Sequence, residues 1–204
     1  MGALIDLNSI KSAPINESFF PFFSVLNCIT EEGKALPQNF PDLNKGGSYP
    51  SDMPGLSPVM ENLIAEIESK EMQEALSEKF GINLDDVEVV TTIRGYSRLK
   101  DGQIHTDSKT KVLTLLLYLN ESWEEDTGLL RMLKNNHDLE DFIEEIPATL
   151  GSLVVFKVTE NCWHGFHPFE GKRLSLQMNY IKKESVSQHL MRHRLSSFIK
   201  KLFK

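Results

Sequence analysis

The spacing of apolar residues changes along the chain and predicts helices first and strands afterwards. Residues 58–80 carry apolar side chains at mostly three- to five-residue spacing, which is typical of an amphipathic helix. Ser57 and Pro58 suit an N-cap and a first helical position, and Gly81 suits the residue that ends the helix. A break near Ser69-Lys70 predicts that the segment divides into two helices.

From residue 86 onward, short apolar stretches alternate with turn residues and predict β-strands. Turn signals such as Asp101-Gly102 and Glu170-Gly171 separate the stretches. Because no long helix intervenes, the pattern favours an antiparallel sandwich or barrel. The predicted strands are 86–96, 103–108, 111–120, 128–133, 152–158, 162–166 and 172–182. The acidic stretch 134–147 interrupts them, and we expect it to form a small helix or an excursion on the rim.

These patterns divide a single predicted domain, 1–204, into three parts. Residues 1–85 form an N-terminal support of helices and loops, including a loop at 38–57 rich in proline and glycine. Residues 86–182 form the strand-rich core, and 183–204 form a basic amphipathic helix. A chain of 204 residues can bury one sizeable core.

The charge and cysteine content narrow the class of protein. Residues 1–181 hold 28 acidic and 15 basic residues, which argues against nucleic acid as a partner. Cys28 and Cys162 are too few for a disulfide framework and predict reduced thiols in a cytoplasmic protein. No stretch approaches the roughly 18 apolar residues of a membrane span. The basic C-terminal helix fits docking on the acidic body best, with peripheral contact to an anionic membrane or a partner as alternatives.

A spaced set of metal-binding residue types lies in the second half of the chain. On a strand, His105 and Asp107 point to the same side, although a lone pair of this kind is more often a surface pair. His164 follows Asp107 by 57 residues, in a predicted strand of the same sandwich. Two histidines and one carboxylate are the facial ligand set of non-haem Fe(II) oxygenases. His167 is the alternative distal ligand, but its spacing suits the site less well.

Arg173 and Ser175 share one face of the last predicted strand. A guanidinium grips a carboxylate at two points, so Arg173 is a candidate partner for a carboxylic acid. A surface ion pair with Glu170 is the alternative. Arg98 and Lys100 are candidate contacts to an anionic substrate, with a solvated pair as an equally good interpretation, and Arg131 is a candidate pocket residue.

Taken together, these residues resemble the Fe(II)- and 2-oxoglutarate-dependent dioxygenases, and specifically their prolyl-4-hydroxylase-like branch. The residues that carry the resemblance, over roughly 86–182, are Tyr96, His105-x-Asp107, Leu117-Tyr118-Leu119-Asn120, Trp123, Gly128-Leu-Leu-Arg131, Gly151–Phe156, Trp163-His164, Pro168 and Arg173-x-Ser175. The resemblance implies a mainly β (α+β) fold, a double-stranded β-helix or jelly roll with helices packed on one outer face. The glycine pair of the family is Thr127-Gly128 here, a mild departure.

The resemblance also implies residue roles and cofactors. His105, Asp107 and His164 are the expected Fe(II) ligands, which are also the expected catalytic residues. Arg173 is the expected partner of the far carboxylate of 2-oxoglutarate, with Tyr118 and Ser175 as donors to it and Tyr96 lining the pocket. The implied reaction couples decarboxylation of 2-oxoglutarate, with O2, to hydroxylation of a substrate C–H bond. Succinate and CO2 are the other products, and ascorbate is a candidate reductant.

The strand at 111–120 tests this assignment independently. If Tyr118 faces the pocket, then Leu116, Thr114 and Val112 face it as well. The opposite face then carries Leu113, Leu115, Leu117 and Leu119. The apolar stripe of 58–80 is the predicted cover for these leucines.

The substrate stays open between small-molecule, carrier-linked and peptidyl classes. The short chain favours a small or carrier-linked substrate. The alternative function is a jelly-roll or cupin-like binding module with a structural metal or none, which would not need the carboxylate-binding Arg173.

Overall fold

The computed structural model describes residues 2–183, so all but the first residue of the predicted C-terminal helix lies outside the described part. The helices are α1 (Leu7–Ser12), α2 (Leu36–Asn39), α3 (Pro58–Ile67) and α4 (Lys70–Phe80), with a 3₁₀ turn at Glu31–Gly33. The strands are β1 (Phe22–Val25), β2 (Tyr49–Pro50), β3 (Val87–Ser97), β4 (Lys111–Tyr118), β5 (Leu130–Leu133), β6 (Phe142–Ile146), β7 (Leu153–Lys157), β8 (His164–Gly165) and β9 (Gly171–Lys182). Among these residues, no helix has the length and apolar character needed to cross a membrane.

The predicted break in the 58–80 helix is confirmed by two separate caps. Ser57 Oγ accepts from the amide of Met60, which starts α3. Ser69 Oγ accepts from the amide of Met72 and starts α4 in the same way. Gly81 then ends α4 in the left-handed region at φ 59°, a conformation that glycine adopts without strain.

Two antiparallel sheets pack face to face and account for the mainly β prediction. The larger sheet has the strand order β1-β7-β4-β9-β3-β2, and the smaller one has β6-β5-β8. Tyr118 and Phe156 of the larger sheet share one buried cluster with Met132 and Ile146 of the smaller sheet. This arrangement is that of a jelly-roll-like sandwich.

The outer face of the larger sheet is covered by the N-terminal helices, as predicted. Leu113, Leu115 and Leu117 of β4 share a second buried cluster with Leu63 of α3 and Leu76 of α4. All five side chains have no exposed surface. The helices therefore leave only the inner face of this sheet for a site.

Three predictions about local structure were wrong. The stretch 134–147 contains strand β6, which pairs with β5 from Leu130↔Ile146 onward. The predicted strand 103–108 contributes only the isolated bridge His105↔His164, because its partner β8 is two residues long. Val112 packs against the helix-side cluster, because a register shift between Lys111 and Leu113 interrupts the alternation of β4.

Candidate active site

A short antiparallel bridge places the two candidate histidines beside each other. The amide of His105 donates to the carbonyl of His164, and the amide of His164 donates back to His105, each at 3.0 Å. The ring centroids lie 4.3 Å apart. The sequence separates these residues widely, and the pairing of two short edge segments brings them together.

Each imidazole is oriented by a backbone carbonyl. His105 Nδ1 lies 2.8 Å from the carbonyl oxygen of Gln103, and His164 Nδ1 lies 2.8 Å from that of Cys162. A carbonyl oxygen only accepts, so each Nδ1 donates a hydrogen to it. Nε2 of each ring is therefore the nitrogen left to bind a metal ion.

Asp107 completes the cluster as a carboxylate that two side chains hold in place. Lys111 Nζ donates to Oδ1 at 2.8 Å, and the hydroxyl of Thr114 donates to Oδ2. Burial raises the pKa of Asp107, but the charge of Lys111 and these hydrogen bonds outweigh it and lower the pKa to about 2. The group is therefore an anion across the physiological range.

Burial also fixes the protonation state of His164. The side chain is 5% exposed, and its ring packs against Phe156 with centroids 4.8 Å apart. Burial, and next the neighbouring His105, lower the pKa of His164 to about 4. The ligand atoms of His105, Asp107 and His164 lie within 4.8 Å of one another. Two neutral imidazoles and one carboxylate at this separation can hold a divalent metal ion on one face.

Arg173 is buried against Tyr118 and Phe166 and has no carboxylate partner within residues 2–183. Its Nε donates to the carbonyl of Gly128 at 2.7 Å, and one Nη donates to the hydroxyl of Tyr118 at 2.9 Å. The guanidinium lies over the ring of Phe166, 4.1 Å from its centroid. Among residues 2–183 no ion pair with Glu170 or another acid forms. A buried cation of this kind requires an anion, and its remaining N–H groups can supply the binding site.

Two hydroxyl groups beside Arg173 can each donate a hydrogen bond to a ligand. The oxygen of Tyr118 already accepts from Arg173, so its own proton can be donated to another group. Ser175 is 1% exposed, and its Oγ has no hydrogen-bond partner within residues 2–183. These donors fit a carboxylate, so the residues present fit both parts of an iron and 2-oxoglutarate site.

Residues 92–181 match the family model of the 2OG-Fe(II) oxygenase superfamily. This matched region, which contains all of the predicted site residues, is similar to a 2OG-Fe(II) oxygenase domain. The resemblance drawn from the sequence is thereby confirmed, together with the enzyme class and with Fe(II) and 2-oxoglutarate as cofactor and co-substrate. The result favours an oxygenase over a binding module. No curated protein sequence matches the chain.

Solved structures of low identity share the fold of this oxygenase. A prolyl-4-hydroxylase from Pseudomonas putida is 24% identical over 64% of this chain and 70% of its own, with a TM-score of 0.50. HygX from Streptomyces hygroscopicus, solved with nickel and 2-oxoglutarate bound, is 13% identical over 81% of this chain and 83% of its own, with a TM-score of 0.55. A Trichoplax adhaerens prolyl hydroxylase, in complex with a peptide fragment of hypoxia-inducible factor, is 15% identical over 82% and 86%, with a TM-score of 0.52.

Three other candidate residues of the oxygenase each contact an acidic side chain. His167 Nε2 contacts Glu140 at 2.6 Å, so its ring is engaged outside the cluster. Arg131 pairs with Glu145 at 2.5 Å and with Glu140 at 2.7 Å. Arg98 pairs with Asp101 at 2.7 Å. Carboxylates of the protein therefore neutralise both arginines that the sequence offered as pocket cations.

The sequence analysis missed Arg94, Lys111 and the role of Thr114. Arg94 follows the core residue Ile93 on β3, so strand alternation directs Arg94 to the opposite face of the sheet. Tyr96 itself is half-buried. Lys111 had no comparable signal, because the register shift in β4 directs it towards Asp107.

Proposed function

We propose that this oxygenase hydroxylates a C–H bond of its substrate at an Fe(II) ion bound by His105, Asp107 and His164. Arg173 and Tyr118 bind the far carboxylate of 2-oxoglutarate. The observation that carries the proposal is the cluster of three ligand groups within 4.8 Å of one another, together with a buried guanidinium that has no acidic partner in the described residues 2–183.

The protein's share of the chemistry is to hold its ligands in one protonation state and one orientation. An Fe(II) ion held there would supply the chemistry that converts 2-oxoglutarate, O2 and a substrate C–H bond to succinate, CO2 and an alcohol, with one oxygen atom of O2 in succinate and the other in the alcohol. The carbonyls of Gln103 and Cys162 keep Nε2 of each imidazole available. Lys111 and Thr114 restrict rotation of the Asp107 carboxylate.

The co-substrate is held by donors arranged in advance. Arg173 cannot rotate freely, because Gly128 accepts from its Nε and aromatic rings lie against its plane. Ser175 supplies a further donor, and Tyr96 lines the pocket. Since these groups exist in place before binding, little side-chain entropy is lost when the carboxylate arrives.

The primary substrate that we propose is small or carrier-linked. The peptide in the Trichoplax structure belongs to that protein, and the likeness to it is one of fold. A screen for succinate release, against pools of peptides, amino acids and nucleotide sugars, would identify the class.

Metal and co-substrate binding can be tested before any substrate is known. Fe(II) and 2-oxoglutarate, added without O2, are expected to produce a weak visible charge-transfer band. His105→Ala should abolish the band. His167→Ala is the matched control and should keep it, because His167 contacts Glu140 and lies outside the ligand cluster. A wild-type protein with no band, or an unchanged band in His105→Ala, would contradict the proposal.

A further inference from the structure

Arg94 lies on the pocket side of the larger sheet, in one row with residues of the co-substrate site. Its neighbour Ile93 packs into the cluster beneath the helices, so Arg94 projects from the opposite face of β3. Arg94 pairs in register with Ser175 of β9, and Ser175 pairs with Tyr118 of β4. Side chains at paired positions point to the same face, so these three residues form a continuous row.

The guanidinium of Arg94 has no partner within residues 2–183. It makes no side-chain hydrogen bond and no ion pair there, in contrast to Arg98 and Arg131, which each bind a carboxylate. The side chain is exposed, yet desolvation, and next the charge of Arg173, lower its pKa. The pairing of Arg94 with Ser175 places Arg94 on the pocket face of the larger sheet.

The pocket thus contains more positive charge than its co-substrate neutralises. Of the two carboxylates of 2-oxoglutarate, one is assigned to Arg173 and Tyr118 and the other to the metal. Lys111 is already paired with Asp107 at 2.8 Å. Arg94 is left as a cation without a hydrogen-bond or ion-pair partner in residues 2–183, repelled by Arg173 and attracted by Asp107 and Asp101. A planar guanidinium in that position suits a carboxylate or a phosphate.

We propose that Arg94 binds an anionic group of the primary substrate, so that this oxygenase acts on a carboxylic acid or a phosphate ester. The inference rests on the proposed function and names the substrate class of the same site. A neutral peptidyl segment would leave Arg94 without a counter-charge inside the pocket. An acid and its amide should therefore differ in binding, because only the acid satisfies the cation.

The test measures the arginine directly and requires no known substrate. The protein is loaded with Zn(II) and saturating 2-oxoglutarate, and the side-chain Nε–Hε resonance of Arg94 is assigned through Arg94→Gln. Acetate is the anionic probe, acetamide is its neutral counterpart, and methyl phosphate in a parallel titration distinguishes a phosphate from a carboxylate. The Arg94 resonance should shift and saturate with an anion but not with acetamide. The resonance of Arg98, already paired with Asp101, should not move.

The outcomes distinguish a failure of the proposed function from a failure of the inference about Arg94. If Zn(II) and 2-oxoglutarate fail to bind, the proposed function is wrong and this inference falls with it. If both bind but neither anion shifts Arg94 more than acetamide does, only the inference is wrong. Arg94→Gln should change the affinity for 2-oxoglutarate less than twofold. A tenfold loss would instead assign Arg94 to the co-substrate.

Discussion

The two faces of strands β4 and β9 have opposite chemistry although the same backbone carries both. Towards the helices, Leu115 and Leu117 meet Leu176 and Met178 in a fully buried apolar layer. Towards the pocket, the inner face of β9 carries Arg173, Ser175, Gln177 and Asn179. Every second residue therefore contributes to stability, and the residues between them contribute to binding.

The contrast teaches how a small sandwich can contain a polar interior. The apolar face gains free energy from burial, roughly 25 cal/mol for each Å² of apolar surface removed from water. The polar face is buried as well, but within residues 2–183 two of its groups are not fully satisfied: Ser175 Oγ has no hydrogen-bond partner, and Arg173 has no carboxylate partner. Unsatisfied polar groups cost stability, and a bound ligand recovers that cost.

The largest effect is expected on the helix side. Leu117→Ala removes a side chain with no exposed surface and should lower the free energy of unfolding by about 2–5 kcal/mol. The affinity of the folded protein for 2-oxoglutarate should stay the same, since Leu117 faces away from the pocket. Urea unfolding and a binding titration check the two parts. Leu99→Ala, at a side chain 61% exposed, is the control and should change neither.

The next effect is a pH dependence of the free energy of unfolding, caused by His164 on the pocket side. The pKa of His164 falls from 6.5 to about 4 on folding, so the unfolded state takes up a proton more readily. In the metal-free protein, the contribution of His164 to the free energy of unfolding is therefore fully present above about pH 6.5. This contribution, on the order of 3 kcal/mol, is lost as the pH falls to about 4. Urea unfolding at pH 7 and pH 4 measures this loss.

His164→Gln isolates the contribution of that one residue. The variant should lose on the order of 3 kcal/mol less than the wild type between the two pH values, because glutamine does not titrate. An equal loss in both proteins would assign the pH dependence to other groups.

A smaller effect is expected at the co-substrate position. Arg173→Leu should weaken 2-oxoglutarate binding by about 2 kcal/mol, or roughly thirtyfold, because it removes charged hydrogen bonds to the carboxylate. Stability should not fall, since the lost group is a buried cation without an acidic partner in residues 2–183. Calorimetric titration and thermal unfolding measure both. A variant that binds normally but unfolds early would place Arg173 with the structural residues.

The smallest effect is expected on metal affinity, through the hydrogen bond that Thr114 donates to Asp107. Thr114→Val keeps the shape of the side chain and removes the hydroxyl that donates to Asp107. Metal affinity should fall about tenfold, in line with other residues that orient a metal ligand. Competition with a fluorescent chelator measures the affinity. Thr110→Val is a nearby control, since the hydroxyl of Thr110 contacts Ser108 and not Asp107.

Much of the fold followed from local patterns. The caps at Ser57 and Ser69 and the left-handed Gly81 were readable because each depends on a few neighbouring residues. The leucines of β4 predicted the helices that cover them, because residues of a strand alternate between its two faces wherever the register is unbroken. Strand β6 was missed because its sequence, Phe-Ile-Glu-Glu-Ile, is partly charged and gains its conformation from pairing with β5.

The candidate site also contains residues that the sequence suggested and residues that it did not. His105, Asp107, His164 and Arg173 were recognisable from residue type, order and spacing alone. Arg94 could have been found from its place next to the apolar Ile93 in a predicted strand, since neighbouring residues of a strand point to opposite faces. Lys111 could not have been found, since its direction depends on an irregularity of pairing that the spacing of apolar residues does not record.

The sequence by itself determined the period of each element and the residue types that can bind iron and a carboxylate, because these depend on local geometry and on side-chain chemistry. Tertiary structure alone decided which cations of the pocket keep a free charge. Arg98 and Arg131 meet acids, whereas within residues 2–183 Arg94 and Arg173 meet none. Ion pairing depends on distances between strands and loops that are remote in the chain, and these distances exist only once the two sheets have packed.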